Sequence, residues 1–127
     1  MKNKIIFICT GNSCRSQIAE GLFRNEAGEK FKVYSAGSHP SRLHPAAIKV
    51  MAEWGIDIQK QKSEKIDKYL NKGINVVITV CDNAKSTCPN FPNGNIIIHW
   101  SIKDPFHGWN DNEEDLEPYR MARNEIK

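Results

Sequence analysis

Ile5-Ile6-Phe7-Ile8 is an unbroken apolar run, and it empties directly into Cys9-Thr10-Gly11-Asn12-Ser13-Cys14-Arg15-Ser16. A run with no polar alternation is the pattern of a strand covered on both faces, as in parallel sheets flanked by helices. Beyond Ser16 the period changes: Ile18, Ala19, Leu22 and Phe23 share one face of a helix. A loop held between such a strand and such a helix can curl until its backbone N–H groups converge on one point. At a helix N-terminus that nest is an anion site. Thr10, Gly11, Asn12, Ser13, Cys14 and Arg15 are the candidate oxyanion-binding residues, with the Arg15 fork gripping two oxygens of a tetrahedral ion. Cys9 lies under the bound ion, where the same positive field favours a nucleophilic thiolate. A core cysteine beside a surface arginine would account for two of these residues, but not for the strand, Gly11, Ser16 and helix around them.

The rest of the chain keeps the alternation. A helix is expected over residues 16–27, with Ser16 as N-cap, Glu20 supporting the first turns and Gly28 as the stop. Residues 31–36 read as a strand broken by Gly37. Pro45 opens a second helix running to about Trp54, with Ala46, Ile48, Val50, Met51 and Trp54 apolar and Gly55 capping it. A short third helix is expected over 63–70, strands over 75–80 and 95–99, and a final helix over about 113–127. Strands alternating with helices imply a single α/β domain over 1–127 with a parallel sheet. Ligands bind such sheets beyond the carboxyl ends of the strands, at the topological switch point. Cys9 follows the first strand and Cys81 the third, so neighbouring strands would place both at one rim.

With 127 residues the chain holds one core. Its net charge of +3, spread with no basic stripe, suits small anions and falls short of a nucleic-acid-binding footprint. No window reaches the roughly 18 apolar residues of a membrane span. The apolar run behind Met1 is too short for a signal peptide and lacks a cleavage site. The expectation is a cytoplasmic monomer that touches neither nucleic acid nor membrane, its four cysteines reduced at rest.

Cys81 and Cys88 enclose a polar, loop-like segment followed by Pro89. They read either as two unrelated thiols or as a pair that closes a transient disulfide. A four-cysteine zinc site is the third option, but the intervals between Cys9 and Cys14 and between Cys81 and Cys88 suit a zinc knuckle poorly, so no metal is assigned. Asp104, held extended by Pro105, is either a turn residue or a carboxyl able to protonate a leaving oxygen. His39, His44, His99 and His107 show no ligand spacing and read as structural or surface residues. Trp54 and Trp100 read as core.

The loop CTGNSCRSQ with Ile18-Ala19-Glu20-Gly21, then Val33-Tyr34-Ser35-Ala36-Gly37, Gly55-Ile56-Asp57-Ile58, the Cys81 and Cys88 pair, and Trp100 with Asp104-Pro105 follow one another in this order. In this the chain resembles the thioredoxin-coupled arsenate reductases, which share the low-molecular-weight protein tyrosine phosphatase fold. The resemblance implies a three-layer α/β/α domain with a four-stranded parallel sheet. It implies arsenate as substrate, clamped by Arg15, with Cys9 attacking arsenic and Asp104 protonating the departing oxygen. Cys81 then attacks Cys9, Cys88 attacks Cys81, and thioredoxin reduces the resulting Cys81–Cys88 disulfide. Ser16 would steady the Cys9 thiolate, Asn12 would brace the loop, and Cys14 would be structural. No cofactor is tightly bound. Some relatives hold a potassium ion through positions matching Asn12, Glu20, Ser35 and Glu64, although Glu64 replaces their aspartate and Gln61 their histidine. Phe106 stands where many reductases carry a small residue, as in the wall that holds a phosphotyrosine ring. The alternative reading is a low-molecular-weight tyrosine phosphatase hydrolysing aryl phosphates with Cys9, Arg15 and Asp104.

Overall fold

The computed structural model describes residues 3–9, 12, 14–37, 42–69, 73–80, 96–100 and 116–126. Four parallel strands form one sheet: β1 (Asn3–Cys9), β2 (Phe31–Gly37), β3 (Val76–Thr79) and β4 (Ile96–His99), in the order β2-β1-β3-β4. β1 is therefore flanked on both sides, and its residues from Ile5 to Cys9 are buried. The apolar run without alternation is what such a central strand requires.

Pairing is continuous from Asn3↔Phe31 to Cys9↔Gly37 on one side of β1, and from Ile5↔Val76 to Ile8↔Thr79 on the other. The chain passes from β1 to β2 on one side, then returns across β1 to lay down β3 on the other. The switch point thus lies between β1 and β3, at the end where Cys9 stands. The Val80 N–H extends this pairing to the Ile8 carbonyl at 2.9 Å, and the Trp100 N–H reaches the Thr79 carbonyl at 2.7 Å. The carboxyl ends of all four strands share one rim.

Three α-helices are described: α1 (Arg15–Ala27), α2 (Pro45–Ala52) and α3 (Glu117–Ile126). They pack on one another, and α1 lies on β1 and β2. Phe23 of α1 sets its ring 5.7 Å from Phe7 and edge-on to Phe31. Gly21 lets α1 come close: a Cβ there would stand 2.7 Å from Ile58 Cγ2, too near for any side chain. Gly55, at φ +75°, turns the chain after α2. On the other face of the sheet, Tyr34 meets Tyr69 at 5.1 Å between ring centres. No described helix is long and apolar enough to cross a membrane.

Three sequence expectations shift. The expected helix over 63–70 is a single 3₁₀ turn, Ile66–Tyr69, pinned where Gly37 bridges Lys65 and donates to the Glu64 carbonyl at 2.8 Å. α1 starts one residue early, at Arg15, with Cys14 as N-cap, so Ser16 is not the cap. α2 stops at Ala52, which swings Trp54 out of the apolar stripe. That residue is 37% exposed and lies beneath the Arg123 guanidinium, 4.0 Å above the ring centre, where a core position was expected. Trp100, in contrast, packs against the core. His44 is structural as expected. It is fully buried, caps α2 by accepting the Ala46 N–H on Nδ1 at 2.9 Å, and meets the Tyr119 hydroxyl through Nε2 at 3.0 Å. Since Nδ1 accepts, the proton of the neutral ring sits on Nε2 and is donated to Tyr119.

Candidate active site

β1 delivers Cys9 to the rim and α1 begins six positions later at Arg15. The first turn of α1 contains no acidic residue, and its N-cap side chain does not cap the helix. A helix end with no carboxylate of its own is suited to an external anion. Cys14 is buried in the core, consistent with a structural role.

Among the described residues, the main chain of Asn12 and the side chain of Ser16 face the buried Cys9 sulfur. The Asn12 N–H donates to Sγ at 3.2 Å, and Ser16 Oγ lies 2.9 Å away. Asn12 Nδ2 donates to that same Ser16 oxygen at 2.7 Å. A Cys9 thiolate can only accept, and in that state the single Ser16 proton is directed at the sulfur. Ser16 thus spends its side chain on Cys9, which is why it does not cap α1. Donors aimed at sulfur stabilise thiolate over thiol.

Asn12 is itself held from several directions. Its φ of +47° is left-handed, a conformation asparagine tolerates better than most residues. Oδ1 accepts the Glu64 N–H at 2.8 Å, and its main-chain carbonyl accepts from Gln17 Nε2 at 2.9 Å. Gln17 also donates to the Lys62 carbonyl at 2.9 Å and accepts from Gln61 Nε2 at 2.8 Å. Sequence reasoning named Asn12 as a brace, noted Gln61 only as a departure from the relatives' histidine, and gave Gln17 no role of its own. The one available signal was an uncharged amide within a stretch of α1 buried on every side.

The oxygens at the positions the resemblance assigns to potassium have partners within the chain. Glu20 is paired with Arg24 and accepts the Ser35 hydroxyl, and Glu64 is paired with Lys68. Each carboxylate already has a cation of the chain beside it, and Asn12 Oδ1 is committed to the Glu64 N–H. A cavity of about 540 Å³ adjoins this cluster, lined by Arg24, Ser35, Gln61, Glu64 and Tyr69 among others. Burial, and then the charge of Glu64, push the Tyr69 hydroxyl well above its ordinary range, so it stays protonated. Among the described residues no group of three His, Cys, Asp or Glu side chains could hold a metal ion.

The structure therefore brings Cys9, Asn12 and Ser16 together, with Cys14 as N-cap and Arg15 opening α1. Thr10, Gly11, Ser13, Cys81, Cys88, Asp104 and Phe106 lie outside the described residues, as do His39 and His107.

Residues 4–127 match the family described as low molecular weight phosphotyrosine protein phosphatase. An arsenate reductase of Halalkalibacterium halodurans is 42% identical over 125 residues, covering 98% of this chain and 90% of that protein. A solved structure of an arsenate reductase in its oxidized state superposes with a TM-score of 0.82 at 36% identity, over 99% of this chain and 91% of that one. The thioredoxin-dependent arsenate reductase of Corynebacterium glutamicum superposes at a TM-score of 0.73 and 27% identity, over 98% of this chain and 58% of that one. The likeness spans nearly the whole chain, and the chain belongs to the low molecular weight phosphotyrosine protein phosphatase family, among its arsenate reductases.

Proposed function

We propose that this protein reduces arsenate to arsenite with electrons from its own cysteines, and that thioredoxin restores them. The observation that carries the reading is the Cys9 sulfur, buried at the switch point of the sheet and facing the Asn12 N–H and the Ser16 hydroxyl. A thiolate so held, at the N-terminal end of a helix, is placed to attack an oxyanion bound there.

The chemistry balances as follows. The Cys9 thiolate bonds to As(V), and an arsenate oxygen leaves as water, protonated by Asp104. The Cys81 thiolate then attacks Cys9 Sγ. The S–As bond breaks with its electron pair passing to arsenic, so arsenite departs and a Cys9–Cys81 disulfide remains. Cys88 attacks Cys81, releases Cys9 as thiolate, and leaves a Cys81–Cys88 disulfide for an external dithiol. Phosphorus(V) does not accept the electron pair in this way, so a phosphate ester at the same loop would only be hydrolysed. The pairing of β1 and β3 supports the relay: the N–H of Val80, one residue before Cys81 in the chain, donates to the carbonyl of Ile8, one residue before Cys9. Thioredoxin suits a relay ending in an intramolecular dithiol, and a reducing cytoplasm suits thiols that must be reduced at rest. Because Arg24 and Lys68 already neutralise Glu20 and Glu64, no potassium ion enters the reading.

The test is arsenate-dependent NADPH consumption with thioredoxin and thioredoxin reductase, run beside aryl phosphate hydrolysis. The expected result is turnover of arsenate, equal in potassium and choline chloride, with slow phosphate hydrolysis. Rapid aryl phosphate hydrolysis without NADPH consumption would overturn the reading in favour of a phosphatase.

A further inference from the structure

Gln17 is fully buried one position past Ser16, and every polar atom of its amide has a partner. Nε2 has two hydrogens and two carbonyls to receive them, those of Asn12 and Lys62, each at 2.9 Å. Oε1 accepts from Gln61 Nε2 at 2.8 Å, which also reaches the Gln17 carbonyl at 3.0 Å. Arg24 Nη1 in turn donates to Gln61 Oε1 at 3.3 Å. This amide ties the nucleophile's loop at Asn12 to the segment around Lys62, from inside the protein.

Its effect on chemistry runs through one backbone residue. Asn12 sits at φ +47°, outside the region most side chains prefer, and in that conformation its N–H points at Cys9 Sγ, 3.2 Å away. A left-handed residue persists only where its surroundings hold it. Gln17 grips the carbonyl of Asn12 while Glu64 grips its side chain. We propose that Gln17 is a positioning residue for Cys9: by fixing Asn12 in the left-handed conformation, it keeps a backbone donor trained on the thiolate. Gln61 backs it by holding the acceptor end of the same amide. The proposal rests on the reading of Cys9 as the nucleophile.

The test is the pH dependence of Cys9 alkylation by iodoacetamide in the full-length protein, with modification at Cys9 resolved by fragment mass spectrometry. Gln17→Met keeps the side-chain length and removes both donors. The expected result is a titration midpoint raised by about one pH unit, the loss of roughly one hydrogen bond to the anion. Gln61→Met is expected to raise it by about half as much. Leu22→Ala, a core truncation away from the amide chain, is expected to lower the melting temperature with no change in midpoint. An unchanged midpoint in both glutamine variants would overturn the proposal whatever their melting temperatures, as would an equal shift in Leu22→Ala. If Gln17→Met does not fold, Gln61→Met decides: a raised midpoint supports the proposal and an unchanged one overturns it. No arsenate enters this experiment. A shifted midpoint in a protein that fails to reduce arsenate leaves the proposal standing, and an active reductase with unshifted variants removes only the proposal.

Discussion

Ser16 carries one hydroxyl, and two uses compete for it. Local propensity would spend it capping α1, since a serine ahead of an apolar helical face is a good N-cap. The fold instead turns it toward Cys9 Sγ at 2.9 Å, with Asn12 Nδ2 at 2.7 Å holding the oxygen from behind. The cap reading was wrong because the competing partner lies seven positions upstream and is invisible to local pattern. The role as a thiolate donor was legible through family likeness. Ser16→Ala should leave the fold intact and slow arsenate reduction about tenfold, in line with one hydrogen bond of roughly 1–1.5 kcal/mol to the reacting sulfur. Single-turnover arsenite release at neutral pH checks this, and a rate equal to the parent's would remove the hydroxyl from the mechanism.

Elements were read with uneven success, for identifiable reasons. β1 was plain because a strand buried on both faces leaves an apolar run. α1 was plain because its period is carried by Ile18, Ala19, Leu22 and Phe23. The clamp between α2 and α3 was not, because its parts are some 70 positions apart and charged. Arg120 embraces the Glu53 carboxylate, with Nη2 to Oε2 at 2.7 Å, and Arg123 reaches Oε1 at 2.6 Å and the Val50 carbonyl at 2.7 Å. Helix-face counting put Trp54 in the core, whereas the early end of α2 makes it a platform for Arg123. The Arg120 hydrogen bond chiefly, aided by Arg123, holds the Glu53 carboxyl below its ordinary 4.5 despite some desolvation. A carboxyl lowered in the folded state adds stability above its ordinary value and loses it as pH falls through the lower folded one. Glu53→Gln should therefore lower the melting temperature by about 4 °C at pH 7, a magnitude kept small by solvent screening. The gap between parent and variant should narrow as pH falls below the ordinary 4.5 and close below the lowered folded value. Calorimetry across that range checks it, and a constant gap would mean that the ion pairs contribute nothing to the clamp.

At the scale of the whole molecule, the sheet order β2-β1-β3-β4 turns a linear chain into a shared rim. Parallel pairing carries Cys9 beside Gly37, and Val80 beside the last residues of β1. The alternation of strand and helix made this architecture legible. The amide lattice of Gln17 and Gln61 was not legible, since two neutral side chains 44 positions apart carry no pattern that periodicity can detect. The proposed relay passes oxidation from Cys9 to Cys81 and then to Cys88. Cys88→Ser should release one equivalent of arsenite per chain and stop, trapped as a Cys9–Cys81 disulfide that non-reducing peptide mapping would find. Sustained thioredoxin-coupled turnover in that variant would break the relay at its last step.

Asn12 Oδ1 accepts its hydrogen bond from the Glu64 main chain, and Gln17 Nε2 donates one to the Lys62 carbonyl. Cys9 leaves the ribosome more than 50 residues ahead of these supporting partners. A nascent chain that ends before residue 62 carries the cysteine without the groups that hold Asn12 against it. Its sulfur is then an ordinary thiol, slow to react with oxidants or electrophiles. The order of synthesis keeps the nucleophile quiet until the fold that uses it has closed.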